Sequence, residues 1–88
     1  MMLFPVGTLI ATPMALQCLS ADDMRCALAR HQRGDWGHVD QDDRQTNDQG
    51  LRKGGRLLSV YDSVSGQRFW IITEADRSAT TVLMPDEY

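Results

Sequence analysis

The stretch covering residues 56–84, RLLSVYDSVSGQRFWIITEADRSATTVLM, constrains the fold more than any other part of the chain. Three runs rich in β-branched and aromatic residues, at 57–61, 68–73 and 80–84, are separated by Asp62-Ser63-Val64-Ser65-Gly66 and Ala75-Asp76-Arg77-Ser78. Short extended runs joined by turn-forming residues predict a three-stranded antiparallel meander. Side chains alternate across a strand, so Leu57, Ser59 and Tyr61 share one face and Leu58 and Val60 the other. The middle run is apolar on both faces, with Phe69 and Ile71 opposing Trp70 and Ile72. Such a strand needs cover on both sides: helices on one, and a partner or second copy as a candidate for the other.

Upstream, Val6-Gly7-Thr8-Leu9-Ile10-Ala11 reads as a short strand that stops at Thr12-Pro13, a cap and first-turn proline opening a helix over 14–19. Ser20, with Asp22 and Asp23 behind it, repeats the cue for a helix over 23–31 that carries Met24, Ala27 and Leu28 on one face. Two short helices and one bent helix fit equally. Gly34-Asp35-Trp36-Gly37 breaks the pattern and delivers an indole to the core. Asp40 then caps a third helix, to about residue 51, that is almost wholly polar, so it lies on the surface or has its polar face occupied by a partner. Residues 1–88 are thus expected to form one α+β domain: a short N-terminal strand, two to three helices, then the meander.

At 88 residues the chain buries roughly 60–65% of its unfolded surface, enough for one modest core. No stretch approaches the ~20 apolar residues of a membrane span, and Met1-Met2-Leu3-Phe4-Pro5-Val6 lacks the basic region of an export signal. A cytoplasmic location without membrane contact is the expectation, with Cys18 and Cys26 as buried, reduced thiols. A net charge of −3 argues against nucleic-acid binding by bulk attraction. Eight of the nine basic residues are Arg, however, so RNA or DNA contact through a local patch stays open, although a GC-rich genome produces the same bias.

Two segments carry candidate chemistry. In Arg30-His31-Gln32-Arg33-Gly34-Asp35 the histidine sits between cations, as a general acid/base holding an anionic substrate would; the same residues suit an ordinary helix C-terminus. In the second turn of the meander, Ser78, Thr80 and Thr81 beside Arg77 suit a phosphate, and Glu74 or Asp76 can accept a proton; they are equally ordinary turn and strand residues. An enzyme would therefore draw on His31, Arg56, Tyr61, Arg77 and Thr81, provided the first segment folds back on the second. A binding surface would instead use Arg33, Asp35, Asp40, Asp42, Asp43, Glu74 and Asp76. The spacing of His31, Asp35, His38 and Asp40 matches no metal-ligand pattern, and no phosphate-cradling or dinucleotide-binding glycine motif occurs, so neither metal nor cofactor is expected.

The blocks Ala11-Thr12-Pro13, Arg30-His31-Gln32-Arg33-Gly34-Asp35-Trp36-Gly37, Asp43 with Asn47, Gly55-Arg56-Leu57-Leu58-Ser59-Val60-Tyr61, and Trp70-Ile71-Ile72-Thr73-Glu74-Ala75-Asp76-Arg77-Ser78-Ala79-Thr80-Thr81-Val82-Leu83-Met84-Pro85 with Tyr88 carry a resemblance. The chain resembles a family of short, largely uncharacterised bacterial proteins borne on plasmids, integrative elements and phages, often labelled plasmid-related or associated with type I restriction. It departs at Met14, where the family often has glycine. The resemblance implies a mobile-element setting. With the acidic balance and polar third helix, it implies a small protein that binds and modulates another macromolecular machine, such as a host-defence or nucleic-acid-processing complex. The order of elements is also similar to that of the RelE/barnase-like ribonuclease superfamily, which implies a phosphate-directed enzyme as the alternative. Either reading is compatible with a homodimer.

Overall fold

The computed structural model describes residues 2–88. A short strand, β1 (Thr8–Ala11), leads into helices α1 (Pro13–Cys18) and α2 (Ala21–Gln32). A third helix, α3 (Gln41–Lys53), precedes β2 (Leu57–Asp62), β3 (Arg68–Thr73) and β4 (Ala79–Leu83), and a single 3-10 turn, Pro85–Glu87, follows. The α+β architecture is the expected one, and β2, β3 and β4 pair as an antiparallel meander. The sheet is nevertheless four-stranded and mixed rather than three-stranded: its order is β1-β4-β3-β2, with β1 parallel to β4 and Thr8 opposite Ala79. A parallel pair cannot be closed by a hairpin. Here all three helices and two strands lie between the partners, so no local signal announces the pairing.

Each helix begins where the sequence supplies an oxygen to an otherwise unpaired amide. Thr12 accepts from the Ala15 N–H at 3.2 Å, Ser20 and Asp23 form a reciprocal capping box, and Asp40 accepts from the Asp43 N–H at 2.8 Å. Leu19, extended between the first two caps, makes α1 and α2 separate helices. Together they lay Ala15, Leu19 and Ala27 on the sheet face formed by Tyr61, Phe69, Ile71 and Val82. A second cluster, Phe4, Trp36, Val39 and Leu57, continues this core toward α3. Trp36 is 1% exposed, delivered inward by the glycine loop.

On the opposite face the chain covers itself sparingly. Tyr88 packs edge-on against Trp70 at 5.2 Å and Arg56 lies over the Tyr88 ring, while Ile72 and Leu83 are buried. The cysteines depart from expectation: Cys18 is half-buried and Cys26 exposed, both as free thiols. Ala27 points at the core, and one helical step of about 100° turns Cys26 away from it.

Candidate functional site

The segment around His31 does fold back on the meander, and it does so inside the core. The last turn of α2 places the imidazole, 0% exposed, against the sheet face from which Ser59, Thr73 and Thr80 project. Nδ1 lies 2.5 Å from Ser59 Oγ and Nε2 2.9 Å from Thr73 Oγ1. Thr73 Oγ1 is 2.7 Å from Thr80 Oγ1, which donates to the Val6 carbonyl at 2.8 Å. That carbonyl can only accept, so it sets the direction of the whole row. Thr80 gives its proton to Val6 and accepts from Thr73; Thr73 accepts from Nε2–H; Nδ1 accepts from the Ser59 hydroxyl. The tautomer is assigned by this network as neutral imidazole with the proton on Nε2.

Phe4 and Trp36 stand edge-on to the ring at 5.2 and 5.5 Å. Burial, reinforced by the positive charge of Arg77, pushes the His31 pKa down to about 4. The histidine is therefore neutral near pH 7 and closed to solvent.

The other candidates for phosphate chemistry are committed elsewhere. Arg77 sits in the left-handed region at φ 62°, and its guanidinium donates to the carbonyls of Gly55 (2.5 Å), Gly50 (2.9 Å) and Glu74 (3.2 Å). It ties the β3–β4 turn to the C-terminal end of α3, where exposed carbonyls favour a cation. Tyr61 is buried, donates to the Asp35 carbonyl at 2.6 Å, and is raised to about pKa 12 chiefly by its burial. Arg56 pairs with Glu74 at 3.7 Å and donates to the Tyr88 hydroxyl. Thr81, opposite Ile72, faces away from His31. Thus His31, Tyr61 and Arg77 stay on the inner side, and Arg56 and Thr81 on the outer.

The binding candidates divide similarly. Asp35 accepts from the Arg30 guanidinium at 2.8 and 3.3 Å, which holds its carboxyl below the usual range, and Asp76 holds its own turn through the Ser78 N–H. Glu74 is paired with Arg56 and Asp40 caps α3. Arg33 forms the C-cap of α2 and is exposed. Among the described residues, Asp42 and Asp43 are the acids of this group whose side chains make neither an ion pair nor a hydrogen bond; they stand exposed in the first turn of α3.

The sheet edges complete the picture. At the β2 edge, Asn47 reaches from α3 to accept from the Leu58 N–H at 3.0 Å and donate to the Leu58 carbonyl at 2.7 Å. One step on, the Val60 N–H donates to Trp36 and the Val60 carbonyl accepts from His38. Gly37 makes this approach possible, since a Cβ there would run into the Val60 carbonyl. At the β1 edge, the amides of Thr8 and Thr12 donate inward to Ser78 and Val82. In a parallel ladder every second residue bonds the same neighbour, so the amides and carbonyls of Leu9 and Ala11 point outward. Leu9 is 56% and Ile10 45% exposed.

Sequence reasoning missed the role of Asn47, which is buried in a helix read as almost wholly polar. The spacing Asn47, Gly50, Leu51 is the stripe that faces β2, and it was the available signal. Compared with family models, curated proteins and solved structures, the chain finds no match.

Proposed function

We propose that the protein is a small binding protein that modulates another macromolecular assembly, and that it meets its partner through the acidic first turn of α3. The observation that carries this reading is the one-way hydrogen-bond row through His31. It leaves the only buried histidine neutral and enclosed among side chains that hold the fold, so the residues best suited to acid–base work are spent on structure. Asp42 and Asp43, in contrast, are displayed without a side-chain partner among the described residues. A basic surface would be steered toward them and oriented by them. The resemblance to short plasmid- and phage-borne proteins supports a host-defence or nucleic-acid-processing complex in the cytoplasm as the partner.

The test is affinity capture from host cells at low salt with the wild-type chain and with Asp42→Lys/Asp43→Lys. A saturable complex whose affinity falls at least tenfold in the double variant is the expected result. Incubation of the same preparations with RNA should leave it intact. Cleavage of RNA that His31→Ala abolishes, with no partner retained, would replace this reading with the ribonuclease-like one.

A further inference from the structure

We infer that the open β1 edge is closed by a second copy of this chain, β1 pairing antiparallel with its own symmetry mate to give a continuous eight-stranded sheet. This inference is independent of the role given to the α3 acids.

The register follows from which groups are free. Only Leu9 and Ala11 turn their amides and carbonyls outward within β1. The strand cannot lengthen upstream, because Gly7 turns away at φ 65° and packs so closely on the Arg77 and Ser78 carbonyls that a Cβ would not fit. It cannot lengthen downstream, because Thr12 caps α1 and Pro13 has no amide to offer. One two-fold arrangement uses all four outward groups: Leu9 opposite Ala11 of the second copy, Ala11 opposite its Leu9, and Ile10 opposite itself on the axis. Leu9 and Ala11 each exchange two hydrogen bonds across the pair, and the two Ile10 side chains meet at the close, non-hydrogen-bonded position. The surface is thereby self-complementary, as a two-fold interface must be.

Charge selects the occupant. Residues 2–21 contain no charged side chain, whereas the whole chain carries −3. The β1 strand itself therefore adds no like-charge repulsion between two copies, the nearest carboxylate being Glu87, which Thr12 holds at the end of the strand, and it offers little to a strongly charged partner. Edge strands that stay single are usually protected by a charge, a proline or a bulge within them. Thr8-Leu9-Ile10-Ala11 has none of these and is restrained only by its four-residue length, and the next exposed apolar side chains, Met14 and Leu16, follow directly in α1. Four backbone hydrogen bonds with this apolar margin place the interface at the small end of the range for specific pairs, so the dimer should dissociate in the micromolar range.

Sedimentation velocity of the purified full chain from about 1 to 300 μM tests the inference, those limits bracketing micromolar dissociation. The expected result is a concentration-dependent shift from 9.9 kDa toward twice that mass. Ile10→Lys, which sets two like charges on the axis, should remain monomeric throughout. A second variant protects the test against misfolding. In a Cys18→Ser/Cys26→Ser background, Ile10→Cys should form a disulfide-linked dimer on mild oxidation, while Val64→Cys, fully exposed on the β2–β3 loop, should not. A chain that stays monomeric at every concentration, a dimer that Ile10→Lys leaves intact, or equal cross-linking of both cysteine variants overturns the inference.

Discussion

Along β2 the outward groups of Leu58 and Val60 meet the Asn47 side chain and the Trp36–His38 backbone; along β1 those of Leu9 and Ala11 meet no partner among the described residues. The difference lies in what the chain has available at each border. The loop carrying Trp36 and the helix carrying Asn47 come just before β2, so short connections suffice to bring them alongside. β1 docks at the far border, and α1 turns back over the sheet face directly after it. One edge is thus finished by folding, and the other is left open.

The largest expected effect comes from reopening the closed edge. Gly37→Ala must push the loop off Val60, because the new methyl collides with that carbonyl and the backbone is left-handed at φ 74°. A loss of roughly 3–5 kcal/mol of unfolding free energy, read from urea denaturation, is expected. Asn47→Ala strips partners from both Leu58 groups; at these part-buried sites each unsatisfied backbone group costs about 1–2 kcal/mol, the lower part of the usual range, so a loss of about 2–4 kcal/mol is expected from the same measurement. A loss under about 1 kcal/mol would mean that water replaces the side chain and that the two edges differ less than their geometry implies.

Next in size is acid. The His31 row runs from Ser59 on β2 to Val6 just ahead of β1, so it spans the sheet between the edges. The folded pKa of about 4 lies below the unfolded value of 6.5, so protonation favours unfolding. Stability from this group is complete above pH 6.5 and declines as the pH falls toward 4, by about 3 kcal/mol in total at 1.36 kcal/mol per pKa unit. The lowered carboxyls, Asp35 among them, act in a different window: their contribution is present above the unfolded carboxylate range near 3.8 and is lost below it. Denaturation curves between pH 5 and 7, above the unfolded values of the lowered carboxyls including Glu87 at 4.5, isolate the histidine, and His31→Gln should flatten the slope there.

The smallest effect belongs to the open edge. Leu9→Lys, already more than half exposed, should change the stability of the dilute protein by no more than about 0.5 kcal/mol. A loss of 2 kcal/mol at concentrations where the protein is monomeric would show that β1 is packed more tightly than its exposure indicates.

Much of this fold is legible in the sequence. Thr12, Ser20 and Asp40 mark the three helix starts because capping is a local event between residues three apart. The alternation in β2 likewise groups Leu57, Ser59 and Tyr61 on one face, and the structure makes that face the buried one. The pairing of β1 with β4 was not readable, since Ile10 and Thr81 meet across 71 positions with nothing in either that specifies the other. Roles of polar residues were the least readable. Arg77 looks the same in a sequence whether it faces a phosphate or the carbonyls of Gly50 and Gly55, and His31 looks the same as a base or as a link in the core. Only their surroundings distinguish these uses, and long-range contacts supply the surroundings.

The row ending at Val6 also makes the interior audible to spectroscopy. Hydroxyl and imidazole protons in water are exchanged too fast to register. The protons on Ser59, Thr73 and His31 Nε2 are each held between two buried heavy atoms, and that on Thr80 is held against the part-buried Val6 carbonyl at the terminus. They should leave only when the N-terminal segment lifts from the sheet, so their resonances time how often β1 opens.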